Sequence, residues 1–198
     1  ADKRVLWQSY QVTKDLGIYS EHQLLKDTDA RSTIEAYGIS YKVKDNYTLG
    51  IAYQQGVVNE NAGESYKRRA VSLSSSYDKS KFKLTNKFEY RIDNKSSLNE
   101  ETYVTTNGFS VRLTDSLRGL ANFDYSISRD RETDETIERY SEANVGFAFR
   151  PVTNNRLAIL GRYRNIQQED NTSRINVMNE KKEIFEAEIN YKLSNKWS

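Results

Sequence analysis

The chain has 198 residues, 36% of them hydrophobic, and its 30 basic and 28 acidic residues leave a net charge of +2. That length suits a single domain over residues 1–198, and the even charge balance does not suggest the basic stripe of a polyanion binder. Cysteine is absent, which excludes disulfides and thiolate metal sites. No apolar run approaches the roughly 20 residues of a membrane helix.

Aromatic residues point elsewhere. With 14 Tyr, 7 Phe and 2 Trp the chain is too aromatic for a disordered polymer. A single proline, Pro151, and recurrent Tyr, Val, Ile and Thr favour strands.

Period-two alternation predicts eleven strands, near residues 3–12, 16–25, 33–43, 47–57, 67–77, 81–92, 101–113, 117–128, 139–150, 156–166 and 182–193. The first two alternate poorly, and Trp7 and His22 settle no face. From residue 36 the pattern is strict. Tyr37, Ile39, Tyr41 and Val43 oppose Ala36, Gly38, Ser40 and Lys42; Tyr47, Leu49, Ile51 and Tyr53 oppose Thr48, Gly50, Ala52 and Gln54. Phe82, Leu84, Phe88, Tyr90 and Ile92 oppose Lys83, Thr85, Lys87, Glu89 and Arg91. Ala143, Val145, Phe147 and Phe149 oppose Glu142, Asn144, Gly146 and Arg150.

Tight and long connections alternate. Four tight ones repeat an apolar residue, three turn residues and another apolar residue: Val12–Leu16, Val43–Tyr47, Leu113–Leu117 and Leu193–Trp197. Two more fall near 78–80 and 151–155, the latter with a bulge expected around Pro151. Polar loops are expected at 26–32, 58–66, 93–100, 129–138 and 167–181.

Strands of 10–12 residues match a tilted crossing of a bilayer, whereas soluble strands usually run to about 5–6. Tyr41, Tyr47, Tyr77, Phe82, Phe149, Tyr191 and Trp197 stand towards strand ends, where interfacial girdles form. The expected fold is therefore an all-β, antiparallel, up-and-down transmembrane β-barrel of about 10–12 strands, with short periplasmic turns and long extracellular loops. Asn86, Thr105 and Asn107 interrupt its lipid face. An odd strand count beginning outside also predicts that strands of a larger barrel are missing at one end or at both, unless the poorly patterned first 25 residues are miscounted and the number is an even ten. The competing reading is a soluble antiparallel sheet or sandwich that binds at the cell surface.

The stretches Arg112–Tyr125 and Phe147–Tyr163 resemble Gram-negative outer-membrane β-barrels, and more narrowly the barrels at the C-terminal end of large repeat-bearing surface proteins. Such barrels end in an aromatic residue, whereas this chain ends Lys196-Trp197-Ser198, which again points to truncation. The resemblance implies no catalytic residue, no cofactor, the outer membrane with its lipopolysaccharide leaflet as surroundings, and further strands or domains of a parent chain as partners.

For chemistry, a serine–histidine system would have to use His22, the single histidine, and an ordinary surface role is expected for it. The acidic stretches Asp27–Asp29 and Asp130–Glu135 lack the spacing of a calcium loop. The cluster singled out is the set of lumen charges Lys87, Glu89, Arg91, Glu142, Arg150, Arg162, Arg164, Glu186 and Glu188. They would form either a salt-bridge ladder that fills the barrel or the charge rings of a water-filled pore. The expected function is a membrane anchor or a small passive pore, with an enzymatic barrel a third option.

Overall fold

The computed structural model describes residues 2–26, 31–59, 65–95, 98–152, 156–171 and 178–192. These form eleven strands: β1 (Asp2–Gln11), β2 (Leu16–Lys26), β3 (Arg31–Lys44), β4 (Tyr47–Asn59), β5 (Ser65–Lys79), β6 (Phe82–Asn94), β7 (Asn99–Arg112), β8 (Leu117–Asp130), β9 (Thr136–Phe149), β10 (Leu157–Asp170) and β11 (Met178–Tyr191). They build one sheet in sequence order, each strand antiparallel to its neighbours. All eleven expected strands are present.

The strands are longer than the alternation predicts, and almost all of the extra length lies at the loop end. Residues 167–170 and 178–181, expected as loop, pair as Gln167↔Lys181, Gln168↔Glu180, Glu169↔Asn179 and Asp170↔Met178. The cause is the ladder itself. Backbone hydrogen bonds continue wherever two chains lie side by side, whereas alternation ends where the apolar face ends.

Register gives the sheet its tilt. The row of directly opposed residues that starts at Tyr10 on β1 runs through Ile18, Ile39, Ile51, Leu73, Phe88, Thr105, Tyr125, Ser141 and Gln167 to Lys181 on β11. Tyr10 stands beside the tight-turn end of its strand and Lys181 near the loop end of its own. The slip is about one residue per strand, which at ordinary strand spacing and rise is a tilt of about 30–35°. That approaches the tilt of membrane barrels.

The shared connector template divides into two geometries. In Val12–Leu16 the Thr13 hydroxyl oxygen accepts from the backbone N–H of Asp15 and Leu16 at 3.3 and 3.1 Å. In Leu113–Leu117 the Thr114 oxygen accepts from Ser116 and Leu117 at 3.2 and 3.0 Å. The third connector has Lys44 where these have threonine, so nothing ties down a three-residue turn. Instead Lys44 pairs with Tyr47 around a two-residue turn, and the extra residue becomes a bulge between Lys42 and Lys44. The Lys42 ammonium lies 2.9 Å from Asp45 in that turn and holds its carboxyl below the usual carboxylate range. The connection near 78–80 is also a two-residue turn, with Lys79 opposite Phe82. The fourth connector, Leu193–Trp197, and residues 153–155 of the Pro151 connection lie outside the described residues.

Burial shows a single layer with no interior core. Among the described residues only Ile34, Tyr66, Ala70 and Ile127 are buried apolar side chains. One face instead exposes Tyr37, Ile39, Ile51, Leu73, Phe88, Phe109, Phe147 and Phe185, the last to 77%. Soluble monomers rarely expose an apolar surface this continuous. The opposite face carries the Gly, Ala, Ser and charged residues.

Candidate functional site: the polar face

On β3, β4 and β5 the polar face is built from small residues. Ala36, Gly38 and Ser40 on β3, Gly50 and Ala52 on β4, and Ala70, Ser72 and Ser74 on β5 all point the same way, as alternation requires. All of them but Gly38 line a cavity of about 510 Å³, to which Lys87 and Glu89 of β6 also contribute. At one edge the Tyr19 ring of β2 lies over Gly38, where a Cβ would collide with it. Glycine at 38 is thus required by close approach rather than by a turn.

From β6 onward the same face is charged. Lys87, Glu89 and Arg91 succeed one another two residues apart on β6. Glu89 accepts from Lys87 Nζ and from an Arg91 guanidinium nitrogen, each at 2.8 Å, and its side chain is 9% exposed. Next come Thr102 and Ser128, whose buried hydroxyls meet at 2.9 Å between β7 and β8. Glu142 on β9 accepts from the Tyr140 hydroxyl at 2.6 Å and lies 3.3 Å from Arg164 Nε on β10, an ionic contact without hydrogen-bond geometry. Arg162 is directly opposite Glu186 and ion-paired to it.

Eight of the nine charges singled out from sequence therefore share this face within the strands. Glu188 is opposite Leu160 rather than an arginine, and it accepts from Asn190 instead. Arg150 stands apart just beyond β9, its backbone N–H donating to Ser116 O at 2.7 Å beside Asp115 and Arg118.

The face also holds groups that the sequence reading passed over. Arg68 donates from Nε and an η nitrogen to the two oxygens of Asp93, at 2.8 and 2.7 Å, with the Asp93 side chain 5% exposed. Asp93 lies just beyond the expected strand 81–92, and Arg68 stands near the start of the expected strand 67–77. Carrying the period of Ala70 and Ser72 one step back to 68, and of Arg91 one step on to 93, would have found them. Asp124 stands directly opposite Glu142, and its Oδ1 is buried without a hydrogen-bond partner.

His22 is on the other face. Its Nδ1 lies 3.6 Å from Glu35 Oε1, and its ring meets Tyr37 edge-on. Among the described residues, no cluster of three or more His, Cys, Asp or Glu could hold a metal ion.

No protein-family model matches this chain, and no curated protein matches its sequence. Solved structures do match its fold. OmpT, an outer membrane protein of Vibrio cholerae, aligns over 94% of this chain and 63% of its own length with a TM-score of 0.68 at 7% identity. An anion-selective porin from Comamonas acidovorans aligns over 93% of this chain and 56% of its own, with a TM-score of 0.59 at 12% identity. A bacterial polysaccharide outer membrane secretin gives a TM-score of 0.57 at 10% identity, covering 97% of this chain and 70% of its own. The chain thus spans less than two thirds of the first two of these structures, and its fold is that of the outer-membrane β-barrels.

Proposed function

We propose that this chain lies in a Gram-negative outer membrane and forms part of the wall of a small passive pore. One observation carries the choice of pore over filled anchor: the charged side chains of the polar face pair along the wall instead of across it. Lys87, Glu89 and Arg91 bridge within one strand, and Arg68–Asp93, Glu142–Arg164 and Arg162–Glu186 join adjacent strands. Each of these pairs joins neighbours on one strand or on two adjacent strands. The Gly, Ala and Ser wall of β3–β5 leaves still more room.

Membrane location is supported by the exposed apolar face, the strand tilt and the barrel fold of the similar structures. The tight turns face the periplasm and the opposite connections face outward, towards the lipopolysaccharide leaflet. In an up-and-down sheet β1 and β11 run the same way, so antiparallel closure takes an odd number of further strands. Those strands come from the same parent polypeptide, and no enzymatic step is assigned to the wall.

The test has two stages. Refolding should require detergent or lipid; a monodisperse, folded chain in plain buffer overturns the membrane reading in favour of a soluble binding module. In a planar bilayer the complete barrel should then conduct, with ohmic current and little voltage dependence. A silent bilayer with correctly inserted protein would return the chain to the role of anchor.

A further inference from the structure

The apolar face is not uniform. Over β1–β5 it is hollowed into a groove of about 890 Å³ lined by Tyr10, Ile18, Tyr37, Ile39, Ile51 and Val71. Going towards the loop end of β5, the next outward residues after Val71 are Arg69 and then Lys67. Gln55 of β4 is opposite Arg69, Val57 is opposite Lys67, and Arg31 of β3 stands further towards the loops. Arg31, Lys67 and Arg69 are all exposed. Among the described residues, none of the three has a side-chain hydrogen bond or ion pair.

That makes them unlike the other outward cations at this height. Arg129 is paired with Asp134, Arg139 with Glu169 and Lys181 with Glu183. The carboxylates in the row of Arg69, each two strands away, are already engaged: Glu35 accepts from Tyr37 and Gln55 and lies beside His22, and Glu101 accepts from Tyr90 and Tyr103. Two unpaired cations, Arg69 and Lys67, therefore follow directly on the headgroup end of an apolar groove, with a third, Arg31, further towards the loops. Phosphate oxygens suit them, because guanidinium and ammonium groups donate charge-assisted hydrogen bonds to phosphate. The groove supplies the complementary apolar half.

We propose that the outward face of β1–β5 is a binding site for a phosphorylated, multiply acylated lipid of the outer leaflet, the lipid A portion of lipopolysaccharide. Its acyl chains lie against Ile39, Ile51 and Val71, and one phosphate is held by Lys67 and Arg69, with Arg31 adding attraction from β3. The site rests on the membrane reading and on the orientation that places these strand ends outside.

The experiment uses the full chain refolded in a neutral detergent and titrated with purified lipid A, phosphatidylglycerol or phosphatidylcholine in mixed micelles. Lipid A should bind saturably, and phosphatidylglycerol and phosphatidylcholine should not. K67Q/R69Q should weaken lipid A binding by about tenfold or more, as expected for losing two charge-assisted contacts. K67R/R69K, which keeps both charges, should retain most of the affinity. K181Q, which removes a cation on the same face far from the groove, should leave binding unchanged. Equal affinity of wild type and K67Q/R69Q for lipid A overturns the site, and so does equal binding of phosphatidylglycerol and lipid A. Refolding without detergent would instead remove the membrane reading, so the two failures are told apart. Retained heat-modifiable migration on gels shows that each variant has folded.

Discussion

Asn86 donates an amide N–H to Oδ1 of Asn107 at 2.7 Å, on the apolar face between Leu84 and Phe88 of β6. Asn107 in turn donates to the Thr105 hydroxyl at 3.1 Å and to the Phe123 carbonyl at 3.3 Å. Asn86 and Asn107 interrupt adjacent apolar rows on β6 and β7, and Asn107 supplies the acceptor for the Asn86 amide. Asn107→Leu alone should cost about 1–3 kcal/mol, because it strands the Asn86 amide in hydrocarbon. Replacing both with Leu should recover wild-type stability or exceed it. Urea unfolding in lipid vesicles measures the series, and a double variant less stable than the single one contradicts the argument.

The Arg68–Asp93 pair is the most enclosed ion pair on the polar face, with side chains 21% and 5% exposed. Arg68 also lies over the Tyr66 ring, 5.8 Å from its centre. Arg68→Ala should destabilise by about 3 kcal/mol, since it leaves a buried carboxylate without its counter-charge. Arg68→Met with Asp93→Leu should be close to neutral. Comparing the two separates the cost of a stranded charge from the worth of the pair.

Glu89 stands between two cations, so its removal changes the sign of the wall locally. Glu89→Gln leaves Lys87 and Arg91 without the anion that balances them. In the reconstituted barrel the reversal potential under a salt gradient should move towards anion selectivity. Lys87→Gln should move it the opposite way. An unchanged reversal potential in both variants would place β6 away from the conducting path.

Thr13 and Thr114 each hold a turn through one oxygen that serves two backbone N–H groups. Thr13→Ala and Thr114→Ala should each cost about 1 kcal/mol, comparable to losing a side-chain cap on exposed backbone donors. Lys44→Ala, in the connector that lacks this device, should change stability by less than about 0.5 kcal/mol. Equilibrium unfolding of the three variants reads the difference directly.

The Asn86–Asn107 and Arg162–Glu186 contacts show how far the sequence carries. Counting by two places each member on its face without any structure, because a pleated strand turns successive side chains to opposite sides. The partner, however, depends on register across two separately running strands. Glu188 illustrates the limit: sequence spacing groups it with the arginines of β10, but the register sets it opposite Leu160. Arg68 and Asp93 were illegible for another reason. They lie where polar residues occupy both faces, so the alternation no longer marks an inward side at Arg68 and ends before Asp93.

Sequence alone determined the order of the strands, their alternating tight and long connections, and, from residue 36 onward, which side chains share the apolar face. Those properties are local, set by side-chain period and turn chemistry within a few residues. Tertiary structure decided the stagger of about one residue per strand, the two turn geometries behind one connector template, and the identity of every cross-strand pair. It also decided that a groove on β1–β5 ends at Arg69 and Lys67. These depend on how distant segments align, and a one-residue slip of any strand would have reassigned its partners along the whole pairing.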